Sequence, residues 1–244
     1  MGCGVKLSRE QGEVSPTSLP YSSLVGSLLY LAVCTRPDIS FAVGQLSKYV
    51  SAPGIEHWGA AMDVLGYLGA TRMAGVTLGN VFSGVQKGVL GYADSDWAND
   101  ADDRKSVSGG ALFVDGSLVA WFSRKQNLVC TSTEDAEVHA VMELLNVVRE
   151  VGGLLDELDG VFRSKRREVP IILTNNQPGL DAIKARKAKR KHVDVKVKHL
   201  AESIEKGDFK IQKVATAVNL ADVFTKALRS VRFRSLSRFF MSEL

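Results

Sequence analysis

The stretch GALFVDGSLVAWFS, residues 110–123, constrains the fold most: two β-prone runs flank Asp115-Gly116-Ser117, a turn sequence that closes a hairpin. GVLGYAD, residues 88–94, adds another run just upstream, so the strands form an antiparallel meander. TSTEDAEVHAVMELLNVVREVGGLLDELDG follows, with a capping box expected from Thr131 to Glu134 and with Val138, Val141, Leu145 and Val148 at helical spacing. A helix that long, apolar on one face, buries that face against the sheet. VPIILTNNQPGLDA then supplies a buried strand ending at Asn175. A helix over about 178–187, a basic helical stretch to about Lys206, the strand DFKIQKV and terminal helices complete the order. The pattern βββαβαβα predicts an α/β fold, a mixed five-stranded sheet flanked by helices.

Upstream, YSSLVGSLLYLAVCTRPDISFAVGQLSKYVSAPGIEHWGAAMDVLGYLGATR predicts helices near 22–34, 37–51 and 55–71, with a Pro37-Asp38 start and a Pro53-Gly54 break. Strands are expected near 75–79 and 88–93. The resulting division is an irregular leader over 1–20, a helical segment over 21–85, the α/β domain over 86–230 and a C-terminal helix over 231–244.

Composition narrows the function classes. With 45% apolar and 24% charged residues in 244, the chain can bury a real core, and a net charge of +4 is too modest to indicate a polyanionic partner by itself. Cys3, Cys34 and Cys130 form no CxxC pair, which argues against a disulfide framework or zinc knuckle and for an intracellular setting, cytoplasmic or nuclear. The apolar run Leu24–Cys34 is about half of what a membrane span needs. No secretory or myristoylation signal is legible in MGCGVKLS, and GNVFSGVQKG lacks the Gly-Lys-Ser/Thr of a phosphate loop.

Acidic residues gather where elements begin or end. Asp94 and Asp96 lie where the first strand runs out, Glu134, Asp135 and Glu137 in the first turns of the long helix, and Asp222 at the opening of a late helix. Collecting such groups at one sheet edge is costly unless cations neutralise them. Two-metal phosphodiester cleavage uses a cluster of this kind, with ions ~4 Å apart. His192 and His199 are spaced too widely for a helical zinc pair, His139 falls on a helix flank, and Trp97 and Trp121 are expected to fill packing positions.

Several stretches resemble the carboxy-terminal part of the Pol polyprotein of Ty1/copia-type retrotransposons. YSSLVGSLLYLAVCTRPDISFAV is similar to the segment after the reverse-transcriptase palm, GYADSDWANDADDRKSVSGG to the start of the ribonuclease H, and NLADVFTKAL to its end. WFSRKQNLVCTST and KHVDVKVKH fit between them. The resemblance implies an RNase H-like fold behind a small thumb- or connection-like helical segment. It also implies an Asp, Glu, Asp, Asp set holding Mg2+, with Mn2+ as a substitute, to cut the RNA strand of an RNA–DNA hybrid, alongside the rest of the Pol polyprotein.

On this resemblance Asp94 matches the first Asp and Asp222 the last. The family's S-S-T-E-A-E-Y places Asp135 in the Glu position without a gap and Glu134 with one inserted residue, and helical spacing accommodates either. Glu137 is expected on the solvated face. Where the family carries Asp followed by Asn-Gln, the chain has Asn175-Asn176-Gln177. An amide oxygen can ligate a hard cation but brings no charge, so activity is expected to be impaired.

Between Lys184 and His199 stand eight Lys or Arg against one Asp. Beside a polynucleotide-cleaving fold, Lys184, Arg186, Lys187, Lys189, Arg190 and Lys191 read as phosphate contacts, with Arg104, Lys105, Arg124 and Lys125 extending the track.

Overall fold

In the computed structural model, residues 7–9, 19–79, 88–162, 168–188 and 190–243 are described. The helical region runs α1 (Tyr21–Cys34), a 3-10 turn (Pro37–Ile39), α2 (Ser40–Ser47) and α3 (Ile55–Ala70), followed by a short strand β1 (Gly75–Val76). The sheet and its helices follow as β2 (Val89–Asp96), β3 (Val107–Val114), β4 (Ser117–Lys125), α4 (Thr133–Phe162), β5 (Ile171–Thr174), α5 (Gln177–Ala185), α6 (Lys191–Glu205) and β6 (Lys210–Lys213). Two 3-10 turns (Thr216–Val218 and Leu220–Phe224), α7 (Ser230–Ser237) and β7 (Met241–Ser242) end the described chain.

The main sheet has the order β4-β3-β2-β5-β6. β2, β3 and β4 are antiparallel neighbours, whereas β5 and β6 join β2 in parallel. This is the mixed, five-stranded, RNase H-like arrangement expected from the sequence. The hairpin closes on Asp115 and Gly116, both at positive φ (48° and 82°), a conformation whose twist matches the flanking strands.

Two apolar layers sandwich the sheet. On one side Val89, Ala93, Leu112 and Ile172 meet Val138, Val141, Leu144, Leu145 and Val148 of α4 and Val193, Val197 and Leu200 of α6. The α4 face expected from helical spacing is thus the buried one. On the other side Tyr92, Ala111 and Phe113 meet Leu220, Val223, Phe224, Leu236 and Phe240. Val25, Leu28, Val43, Leu46, Tyr49, Ala61 and Val64 make a separate core among α1–α3.

Five local expectations are corrected. The helix expected over 37–51 begins with a 3-10 turn, because Arg36 turns back to grip Asp38 through Nε (2.9 Å) and Nη2 (2.7 Å) while Tyr67 Oη donates to the same carboxylate at 2.7 Å. The strand expected over 75–79 shortens to Gly75–Val76. It pairs with Met241–Ser242, so the segment expected as a C-terminal helix ends at Ser237 and returns as a strand, anchored by the buried Phe240 and Met241. α4 is capped by Ser132, whose Oγ accepts from the Asp135 N–H at 3.2 Å, rather than by Thr131. Trp97 is 45% exposed, its indole N–H reaching Cys130 O at 3.0 Å, while Trp121 is half-buried and donates to Ala32 O at 2.7 Å. Among the described residues no helix is long and apolar enough to cross a membrane.

Candidate functional site

β2 places Asp94 beside Gly109 of β3 in the antiparallel register, and one step beyond the Ala93–Thr174 pair of β2 and β5. Gly109 has a specific purpose here. A Cβ at that position would lie 2.6 Å from Thr225 Cγ2 and 2.9 Å from Phe224 Cβ, so only glycine lets the 220–225 segment settle on the sheet above Asp94. Asn219 pins the segment, donating from Nδ2 to Ala93 O at 3.0 Å and accepting from the Ala221 N–H at 3.2 Å. Asp222, expected to open an α-helix, therefore lies within a 3-10 turn.

The cluster formed in this way contains Asp94 and Asp222, each 1% exposed, and Glu137, 7% exposed. Thr225 Oγ1 donates to Asp94 Oδ2, and the Lys226 ammonium stands 3.2 Å from that oxygen and 2.9 Å from Asp222 Oδ1. Arg232 Nη2 donates to Asp222 Oδ2 and, at 2.7 Å, to Thr216 O. Burial, with Asp222 nearby and Lys226 opposing, raises the Asp94 carboxyl to about 6. Burial and then the Asp94 charge push Glu137 higher still, to about 8, although the Ser95 N–H donates to it. Burial pulls the Lys226 ammonium down, but attraction to Asp94 and Asp222 outweighs this and leaves it above the usual lysine range.

Glu137 is the principal correction. Expected on the solvated face, it is buried at the carboxylate cluster, whereas Asp135 is turned to α6, 3.0 Å from Lys196 Nζ and 3.2 Å from His192 Nε2. Burial raises the Asp135 pKa, but those two partners prevail and hold it below the ordinary carboxylate range. Glu134 is half-buried on the same turn. The signal for Glu137 was present in the sequence: it leads Val141, Leu144 and Val148 at i+4, i+7 and i+11, the phase of the buried face. Either matching of S-S-T-E-A-E-Y also leaves Ala136-Glu137 on its Ala-Glu, with Glu137 at the second Glu. Lys226 and Arg232 carried no comparable signal.

Asn175 follows β5 at the same edge, with Nδ2 3.5 Å from Thr216 Oγ1 and a buried Oδ1 that has no hydrogen-bond partner. Glu137 Oε2 is likewise buried without one. Asn176 caps α5, accepting from the Gly179 N–H at 3.2 Å. Asp96 is outside the cluster and accepts from Asn99 Nδ2 at 2.6 Å.

These oxygens are of the hard type that Mg2+ or Mn2+ prefers. Their arrangement does not fit such an ion. Both Asp222 oxygens are held by cationic side chains, and among the described residues no three His, Cys, Asp or Glu side chains converge as a metal would require.

The expected nucleic-acid residues divide into two groups. Lys184, Arg186, Lys187, Arg190 and Lys191 are exposed around the α5–α6 connection, while Lys189 lies outside the described residues. Arg186 closes α5 at φ 54° and pairs with Glu205 at 2.5 Å, and Arg190 donates to Thr131 Oγ1. On the β2–β3 side Lys125 is committed to Asp100 and Asp103, 2.9 Å from each, and Lys105 lies 3.8 Å from Asp103. Arg104 is exposed, and Arg124 stacks over Phe122.

No family model matches the chain. It is 35% identical over 226 residues, 92% of its length, to the retrovirus-related Pol polyprotein from transposon TNT 1-94 of Nicotiana tabacum. Over 242 residues, 98% of its length, it is 34% identical to the Pol polyprotein from transposon RE2 of Arabidopsis thaliana. In each case the chain spans only 16% of the relative's length. Over 126 residues it is 41% identical to a protein named secreted RxLR effector protein 161 of Plasmopara viticola, covering 52% of this chain and 87% of that one. Among solved structures, an RNase H1 isolated from compost overlays with a TM-score of 0.45 at 14% identity, covering 57% of this chain and 94% of that one. The fold assignment rests instead on the strand order and connectivity described above.

Proposed function

The chain belongs to the Pol polyproteins of Ty1/copia-type retrotransposons, and from that premise we propose that its RNase H-like domain is directed at RNA–DNA hybrids, with hydrolysis of the RNA strand impaired. The observation that carries this reading is the burial of Asp94, Glu137 and Asp222, from β2, α4 and the 220–224 turn, near enough for their charges to act on one another. Burying three acids close together opposes folding, and a stable fold has no use for it unless the group has a task. Asp94, Glu137 and Asp222 are the residues proposed to act on the hybrid. Glu137 is proposed in place of Glu134 and Asp135, because it is the acid of that turn whose charge meets that of Asp94.

Asn175 supports the impairment. It stands where the family has a carboxylate, and its unpartnered amide oxygen supplies a donor without charge. Lys184, Lys187, Arg190 and Lys191 of the α5–α6 connection are proposed to contact the phosphate backbone, as are Arg104 and Arg124 on the β2–β3 side, whereas Arg186, Lys125 and Lys105 already have acidic partners. The chain is further proposed to divide near residue 85, a boundary outside the described residues, into a helical segment and an RNase H-like domain, and to belong within a longer Pol polyprotein.

The test is cleavage of an RNA–DNA hybrid with Mg2+ or Mn2+ by the unmodified chain, Asn175→Asp and Asp94→Asn. We expect slow cutting by the unmodified chain, a gain on the order of a hundredfold in Asn175→Asp, and loss in Asp94→Asn. Robust cutting that Asp94→Asn leaves intact would end the proposal. A second reading, a binding domain that no longer cuts, is favoured by the closure of the cluster with Lys226 and Arg232. Salt-sensitive hybrid binding without cleavage, even in Asn175→Asp, would establish that second reading.

A further inference from the structure

Two cations of the chain itself lie on the two most deeply buried carboxylates of the cluster. Lys226 follows Asp222 by one helical turn and reaches across to Asp94, so its single charge bridges the 220–225 segment to the end of β2. Arg232 approaches Asp222 from α7. The exposures are unequal: the carboxylates are 1% exposed, whereas the Lys226 and Arg232 side chains are 33% and 38% exposed. The acids are fixed by the sheet and the turn, but both cations end long stems that can swing into water without any backbone shift.

We propose that Lys226 and Arg232 are tethered counter-ions that hold the Asp94–Asp222 pair closed in the metal-free chain and compete with a divalent cation for the same oxygens. The poor fit of the present arrangement to a metal ion is then a consequence of occupancy by the chain's own side chains, and not of the wrong donors. Asn175 reinforces the effect. With an amide in that position the cluster has fewer negative charges to share between internal and external cations, so the internal ones prevail. A divalent ion enters only as the Lys226 ammonium leaves, and two unit charges about 4 Å apart near a protein surface interact strongly enough for that exchange to dominate the affinity.

The inference rests on reading Asp94, Glu137 and Asp222 as the cation site but not on any cleavage, and its test contains no nucleic acid. The full chain, Lys226→Met, Lys226→Arg and Asp94→Asn are titrated with MnCl2 by calorimetry at pH 7, and their thermal unfolding is followed with and without the ion. We expect Lys226→Met to bind Mn2+ at least about tenfold more tightly than the unmodified chain, to unfold at a lower temperature without Mn2+ and to recover with it. Lys226→Arg keeps the charge and should behave like the unmodified chain. If Lys226→Met binds no more tightly while Asp94→Asn weakens binding, the cation site stands and the counter-ion proposal is wrong. Mn2+ binding that Asp94→Asn leaves unchanged overturns the site and the proposal together. Should Lys226→Met fail to fold by circular dichroism, Arg232→Gln serves the same test, with tightening of about threefold expected and none overturning the proposal.

Discussion

Asp100 and Asp94 belong to the same stretch of chain and are almost equally hidden, at 4% and 1% exposure, yet their surroundings act in opposite directions. Asp100 is paired with Lys48, the residue that follows α2, at 2.7 Å and Lys125 of β4 at 2.9 Å, and it accepts from the Asp102 N–H at 3.0 Å. Burial raises its pKa, but these partners far outweigh it and hold the carboxyl well below the ordinary range. The group joins the helical region to the sheet through a satisfied ion-pair network. At Asp94 burial wins, a second carboxylate repels, and the neighbouring Glu137 keeps an oxygen without a partner. A buried acid whose charge is favoured is cross-linking the fold, and one whose charge is disfavoured marks a candidate site.

The contrast can be broken at either end. The largest effect is expected from Asp100→Ala, which leaves the 14% exposed Lys48 ammonium without its partner: a loss of about 3 kcal/mol by urea unfolding. A loss under about 1 kcal/mol would show that the Asp100 ion pairs add little to what holds the helical region on the sheet. At the other cluster the sign should reverse. Glu137→Gln keeps the shape and removes an acid whose ionisation the fold resists, so the metal-free chain should gain about 1–3 kcal/mol at pH 7 by the same measurement. A decrease would mean that the carboxylate makes a stabilising contact that its orphaned oxygen conceals.

Acid titration sharpens the comparison with a smaller effect. Asp100 is depressed in the folded chain, so below its ordinary value of 3.8 the unfolded chain binds the extra proton. Its contribution is complete above that value and fades as pH falls towards the folded pKa. The stability of the unmodified chain should therefore decline more steeply below about pH 4 than that of Asp100→Asn, and parallel curves would refute the assignment. Smallest of all, Lys105→Ala should change stability by under about 0.5 kcal/mol, since the Lys105–Asp103 pair is 3.8 Å apart with both side chains about a third exposed.

Much of the architecture was legible in the residues because it follows from short-range rules. Alternating runs around Asp115-Gly116 specify the hairpin, and the spacing of Val138, Val141, Leu145 and Val148 specifies the face of α4 that packs on the sheet. Elements set by distant partners were less legible. β1 and β7 are too short to carry a pattern and exist because they meet each other, and the 3-10 turn at Pro37 depends on Arg36, Asp38 and the remote Tyr67.

The candidate site divides in the same way. The resemblance to Ty1/copia Pol sequences marks Asp94, Asp222 and the amide at Asn175, because each lies in a stretch that matches the family's motifs. Tertiary structure alone decides among Glu134, Asp135 and Glu137: successive helical positions point about 100° apart, and which acid meets Asp94 depends on how α4 is rotated against β2. It also brings Lys226 and Arg232 onto the carboxylates. No local periodicity encodes that contact, since charged groups far apart in sequence meet only after the apolar faces have packed.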